Sequence, residues 1–123
     1  MIKRLHSTLF YASNIEKTSE FYKKLGFPVI KDGFTVKIKI GNYRLVFTDE
    51  NTTLIQNESG LKPKGLGIYN YIEVEDVDAY FGWLKKHKLQ TRTEPRDWPW
   101  GKREFVVRDP DGYKLVFYSL IKP

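Results

Sequence analysis

Tyr43-Arg44-Leu45-Val46-Phe47 returns as Tyr113-Lys114-Leu115-Val116-Phe117, 70 residues further along the chain. Upstream, Asn14-Ile15-Glu16 and the periodic stretch behind it return as Asp76-Val77-Asp78, at a spacing of 62. Two spacings that differ by eight describe two similar modules, the second eight residues longer. The added residues are expected between Gln90 and Arg103, where Trp98 and Trp100 sit. A duplicated module usually builds a shared cleft, and residues added to one copy usually serve that cleft.

Each module reads as β-α-β-β-β. Ile2 to Ala12 is rich in strand formers, and Ser13 with Glu16 three residues on forms a capping box. Ile15, Thr18, Phe21, Tyr22 and Leu25 recur at helical spacing until Gly26 ends the helix. Phe27 to Asp32 and Phe34 to Ile40 read as strands, and Gly41-Asn42 is a two-residue hairpin loop into Tyr43–Thr48. Asp49 to Lys64 is polar and reads as a linker. Leu66 to Val74 is the next strand, and Asp76 caps a helix carrying Val77, Tyr80, Phe81 and Leu84 inward. Trp83 falls at the position of Phe21 and is expected in the core. A strand begins over Gln90–Thr93, and Arg103–Arg108 and Tyr113–Ile121 close the module around Asp109-Pro110-Asp111-Gly112, a type I turn sequence. The expectation is a single α+β domain with module one at 1–48, a linker at 49–64 and module two at 65–123. Its two tandem βαβββ modules form a curved mixed β-sheet cleft with the helices outside.

Composition narrows the function. The 123 residues contain no cysteine, which removes disulfides and thiolate metal sites and fits a reducing compartment. No apolar run reaches the roughly 18 residues of a membrane span, and Met1-Ile2-Lys3-Arg4 is followed by no signal-peptide core. A cytoplasmic protein with no membrane partner is expected. The +6 formal charge is scattered rather than gathered into the dense stripe that nucleic acid requires, and it favours anionic or neutral ligands over polycations. Aromatics make up 15% of the chain, more than a core this small needs, so some are expected to meet a ligand or a second subunit.

The pattern resembles the vicinal oxygen chelate superfamily, which includes glyoxalase I, extradiol dioxygenases and bleomycin-resistance proteins. Ser13-Asn14-Ile15-Glu16-Lys17-Thr18, Phe21-Tyr22, Leu25-Gly26-Phe27 and Asp109-Pro110-Asp111-Gly112 carry the resemblance. Pro99-Trp100-Gly101-Lys102-Arg103-Glu104-Phe105 and Arg108-Asp109-Pro110 look most like the antibiotic-binding branch. The resemblance implies a homodimer and, in the enzymes, a divalent metal held by His, Gln or Glu on four strands. The corresponding positions here are Ser7, Val46, Tyr69 and Val116, a set that cannot replace a cation's hydration shell. His6 adjoins one of these positions, but strand alternation turns it to the opposite face. His87, near a helix end, is favourable there for its charge alone. No metal site, no cofactor and no catalytic residue are expected.

Alternation also sorts the strand faces. The face of Ser7, Val46, Tyr69 and Val116 takes in Leu9, Tyr11, Arg44, Thr48, Tyr71, Glu73, Lys114 and Tyr118, with Glu104, Val106 and Arg108 from the neighbouring strand. Thr8, Phe10, Leu45, Phe47, Ile72, Val74, Leu115 and Phe117 fall together on the other face as a core. The ligand-binding set expected on this reading is Trp100, Trp98, Phe34, Tyr69, Tyr71, Tyr118, Arg44, Glu104 and Arg108. Two indoles stiffened by Pro95 and Pro99 make a stacking platform, and the resemblance puts Trp100 where the antibiotic-binding branch stacks a planar drug group. The plainer alternative is that these aromatics pack against a partner subunit. Three functions follow: a metal-independent binder that sequesters a small planar aromatic or glycopeptide-like antibiotic, a metal-dependent lyase or dioxygenase, and a scaffold whose cleft its own partner fills. The residues favour the first.

Overall fold

The computed structural model describes residues 1–52 and 64–122. The expected linker falls mainly on the other residues and so lies outside the described part. The chain divides into two compact units, Met1–Lys62 and Pro63–Pro123. Unit one runs β1 (Ser7–Ala12), α1 (Ile15–Lys24), β2 (Val29–Asp32), β3 (Thr35–Ile40) and β4 (Tyr43–Asp49). Unit two runs β5 (Tyr69–Glu73), α2 (Val77–Lys86), β6 (Arg96–Asp97), β7 (Lys102–Arg108) and β8 (Lys114–Leu120). The sheets have matching orders, β1-β4-β3-β2 and β5-β8-β7-β6, each with one parallel pair and two antiparallel pairs. The fold is α+β, two four-stranded mixed sheets with one helix packed on each.

The two spacings read from sequence reappear in the ladders. Ser7 pairs with Arg44 and Tyr69 with Lys114, so the first strands are 62 residues apart and the last strands 70. The insertion, however, is not one block. Ile15 and Val77 open the helices 62 residues apart, but the equivalent pairs Asp32↔Thr35 and Arg96↔Glu104 give offsets of 64 and 69. Two residues therefore enter before β6, five enter between β6 and β7, and one enters the β7–β8 turn. That last residue corrects the expectation that all eight lie between Gln90 and Arg103. It is accommodated by Asp109, whose Oδ1 accepts from the amides of Asp111 and Tyr113 while its carbonyl accepts from Gly112.

Several element ends differ from expectation for identifiable reasons. Residues 2–6 lie outside β1, because the neighbouring ladder begins at Arg44, whose amide reaches back to the His6 carbonyl. The α1 cap is Asn14, not Ser13: its side chain accepts from the Lys17 amide at 3.1 Å. Glu16 is thus two residues past the cap rather than three, and it pairs with Lys31 at 3.5 Å instead of closing a box. Gln90–Thr93 is not strand; the amides of Arg92 and Thr93 both turn to the Val106 carbonyl.

The cores follow the predicted faces. In unit one Phe10 stacks on Phe47 at 4.9 Å, Tyr22 closes on Phe47 at 4.8 Å, and Leu25, Val36, Ile38 and Leu45 are buried around them. In unit two Phe105, Phe117, Leu84, Val107 and Leu115 are buried, with Tyr80 at 4.8 Å from Phe117 and Phe81 edge-on to Phe105. Trp83 contradicts its expected core role. It is 39% exposed and stacks along the outside of α2 against Tyr80 and the His87 ring, because its helical position points away from the sheet that Tyr80 and Leu84 meet. Among the described residues no helix is long and apolar enough to cross a membrane.

Both helices end in the same hydrogen-bonded motif. Phe27 N–H reaches the Tyr22 carbonyl and Gly26 N–H that of Lys23; Leu89 and Lys88 repeat this with Leu84 and Lys85. The motif needs a left-handed residue. Unit one supplies Gly26 at φ 95°, whereas unit two holds Lys88 there at φ 59°. A side chain in that conformation costs about 1 kcal/mol. Lys88→Gly is therefore expected to stabilise the protein by about 0.5–1 kcal/mol, part of the relief being offset by glycine's freer unfolded chain. Chemical denaturation checks this; a lowered midpoint would contradict the strain.

Candidate functional site

Unit two presents a sheet face that its helix does not cover. Register puts Tyr69 and Tyr71 on β5, Lys114, Val116 and Tyr118 on β8, and Lys102, Glu104, Val106 and Arg108 on β7 of that face. Tyr71 and Tyr118 meet edge to face at 6.0 Å, and both Tyr69 and Tyr71 are about half exposed. Neighbouring exposed aromatic rings on a sheet form a surface able to meet a ligand or another protein.

Glu104 is the polar centre of this face, and it is only 6% exposed. One carboxylate oxygen accepts from the Trp100 indole N–H at 3.3 Å, the other from the Tyr71 hydroxyl at a long 3.5 Å. Burial, then the Glu104 charge and this hydrogen bond, then Tyr69, push the Tyr71 phenol above its ordinary range, so it remains a hydrogen-bond donor well into alkaline solution.

The connection lengthened by five residues carries the indoles. Pro99-Trp100-Gly101 turns tightly: Gly101 N–H bonds the Trp98 carbonyl and Trp98 N–H the Lys102 carbonyl. Trp98 and Trp100 stack with ring centres 4.8 Å apart and planes 10° from parallel, and Arg96 lays its guanidinium over the Trp98 ring, 4.1 Å from its centre. The result is a three-layer stack of Arg96, Trp98 and Trp100. Beside it opens a hollow of about 340 Å³, lined by Thr93, Glu94, Pro95, Arg96, Trp98, Glu104 and Val106. That is the lower end of the roughly 300–1,000 Å³ typical of small-molecule sites.

Trp98, Trp100, Tyr71, Tyr118 and Glu104 of the expected set thus converge. Tyr69 lies on the same face with the Lys114 ammonium 4.9 Å from its ring, and Arg108 is exposed at the end of β7 opposite Lys114. Arg44 and Phe34 belong to unit one. Arg44 donates to His6 Nε2 at 3.0 Å, and Phe34 sits in the β2–β3 turn, 38% exposed. His6 corrects the expectation of an opposite face. It precedes the first residue of β1 and escapes strand alternation, so its ring reaches Arg44 and places Nδ1 3.1 Å from Ser7 Oγ. With Arg44 donating to Nε2, Nδ1 carries the proton and donates to Ser7.

Sequence reasoning missed Arg96 and Lys102. Counting back two residues from Glu104 would have put Lys102 on the tyrosine face, where its ammonium lies 5.2 Å from Tyr118 and 5.9 Å from Tyr71.

The residues present do not fit the metal that the family's enzymes carry. Val116 is buried between Tyr71 and Val106, Val46 lies between Leu9 and Lys37, Ser7 is engaged by His6, and Tyr69 faces a lysine. Among the described residues no three His, Cys, Asp or Glu side chains gather where a cation could be held.

On the helix side, Arg103 braces the tryptophan connection. It donates Nε–H and Nη2–H to the two oxygens of Asp78 at 2.9 and 3.0 Å and Nη1–H to Asp97 at 3.1 Å, tying α2 and β6 to β7. These groups are solvated, so Arg103→Ala should cost less than about 1 kcal/mol of stability. Its expected effect is local: faster hydrogen exchange at the Trp98 and Gly101 amides, with the β8 amides unchanged. Uniformly faster exchange would show that Arg103 supports the whole module instead.

Comparison with known proteins agrees with this architecture. The family model described as glyoxalase/bleomycin resistance protein/dioxygenase superfamily matches residues 4–117. A bleomycin resistance protein of Geobacillus stearothermophilus is 29% identical over 121 residues, covering 89% of this chain and 91% of the relative. A hypothetical protein from S. aureus superposes with TM-score 0.78 at 21% identity, covering 97% of this chain and 94% of that one. A bleomycin-binding protein complexed with bleomycin superposes with TM-score 0.70 at 20% identity, over 96% and 98% of the two chains, and shares the fold. With that family model matched over residues 4–117, this chain belongs to the glyoxalase/bleomycin resistance protein/dioxygenase superfamily.

Proposed function

We propose that this protein captures a planar, partly polar small molecule stoichiometrically, as a bleomycin-resistance-like binder that makes and breaks no bond. The observation that carries the reading is the Arg96–Trp98–Trp100 stack beside the hollow of about 340 Å³, with the Trp100 indole oriented by buried Glu104. A ring held at a fixed tilt by its own N–H loses little freedom when a second ring stacks on it, so the contact energy goes into binding. Tyr69, Tyr71 and Tyr118 extend the aromatic surface, and Arg108 adds a charge at its edge.

Capture needs no metal, since Ser7, Val46, Tyr69 and Val116 stand where the enzymes of the family carry donors. We place the protein in the cytoplasm as a homodimer, in keeping with the absence of cysteine and the aromatic surplus. Family membership and the resemblance to bleomycin resistance proteins support an antibiotic of planar aromatic or glycopeptide type as the ligand.

Titration with copper-free bleomycin, followed by tryptophan fluorescence, tests this. Saturation at one ligand per protomer is expected, and Trp100→Ala should weaken it about tenfold, the loss of one stacking contact worth about 1–1.5 kcal/mol. Binding untouched by both Trp98→Ala and Trp100→Ala would move the site elsewhere. A stoichiometric, tightly held divalent metal in the purified protein would sink the metal-free reading.

A further inference from the structure

We infer that the ligand this site selects bears a negative charge beside its aromatic plane, so that an aromatic carboxylate or sulfonate is preferred to a cationic glycopeptide. The inference rests on the capture reading and concerns the charge of what is captured.

Three cations stand directly on the aromatic surface. Arg96 covers Trp98 at 4.1 Å, Lys102 lies 5.2 Å from Tyr118 and 5.9 Å from Tyr71, and Lys114 lies 4.9 Å from Tyr69. The same strand face adds exposed Arg108. Against them stand three carboxylates. Glu104 accepts from Trp100 with one oxygen and from Tyr71 with the other and keeps its charge, but at 6% exposed it gives a cationic ligand little direct access. Glu73, at the end of β5, and Glu94, on the rim of the hollow, are exposed and well hydrated. Of these described groups on unit two, four are positive, two are exposed carboxylates and one is a buried carboxylate.

Geometry sharpens the bias. An ammonium resting on a ring is held by the negative face of that ring, which fixes its place without neutralising it. Each cation keeps its full charge for a ligand that slides in beside the ring. A planar anion can stack on an indole or phenol while its charged substituent reaches Lys102 or Arg96. A planar cation gains the stacking but must approach fixed like charges, and the one carboxylate close by is buried.

The test is a matched set of three ligands on one scaffold, 2-naphthoate, 2-naphthamide and 2-naphthylmethylammonium, titrated at low and at physiological salt alongside copper-free bleomycin. Naphthoate is expected to bind about tenfold more tightly than the ammonium, with the amide between them. Unit charges roughly 6 Å apart in partly solvated surroundings give a preference of that order. Added salt should narrow the gap. In the double variant Lys102→Gln, Arg96→Gln the preference should fall to within about twofold to threefold. Lys86→Gln, which removes one charge from the exposed end of α2, should leave the ratio as it was and so discount net charge as the cause.

Equal affinity for all three ligands would leave capture by stacking intact and overturn the charge preference. Tighter binding of the ammonium, or saturation by bleomycin alone, would do the same. A flat response to all four would remove the capture reading and this inference with it.

Discussion

Each module is closed by one parallel ladder between its first and last strands, β1 with β4 and β5 with β8, and everything else is positioned from it. Parallel neighbours cannot be joined by a tight turn, so the chain must leave through a helix and return through two further strands before the pair can form. That return gives the helix its seat on one face of the sheet and leaves the other face open. It also fixes register: once Tyr69 sits opposite Lys114, alternation decides that Phe117 points to the helix and Tyr118 to the open side.

The open face of the second module then acquires its chemistry from small differences between equivalent positions. Ladder counting makes Glu104 the counterpart of Thr35, and Asp32-Gly33-Phe34 the counterpart of the far longer connection that starts at Arg96. A hairpin of two turn residues in one module thus becomes, in the other, a braced loop carrying two stacked indoles. Burying a carboxylate at position 104 would be expensive without partners, and the indole and phenol donors that the loop and β5 bring to it are what make that burial tolerable.

How much of this could be read from the chain depends on the range of the force involved. Sheet faces were legible because apolar residues alternate, and a residue such as Phe47 or Phe117 can be inward in only one register. Strand ends were not, because they depend on where the neighbour begins: Ile2 to Leu5 look as strand-like as Leu9, yet no described ladder reaches them. Helical spacing places Leu84 correctly, whereas repeat equivalence with Phe21 misplaces Trp83, since Phe21 is itself only half-buried and equivalence fixes position along the helix without fixing burial. His6 was misplaced because alternation holds only inside a strand. The insertion itself marks the indoles and strand alternation from Glu104 marks Lys102, whereas nothing local marks Arg96 among the scattered charges.

The division of the eight added residues among three connections has an engineering consequence. Every one of them enters where the chain reverses or approaches a strand, and none enters within a ladder, so the period of two along β7 and β8 is unbroken. The stretch from Trp98 to Gly101, between the paired residues Asp97 and Lys102, therefore behaves as an exchangeable cassette. It can be lengthened, shortened or recoded to suit another ligand while Phe105, Phe117 and the helix beneath them keep their packing. A library confined to that cassette, with a donor to Glu104 kept at position 100, would vary recognition with little demand on stability, which is how antibody loops are diversified on a constant framework.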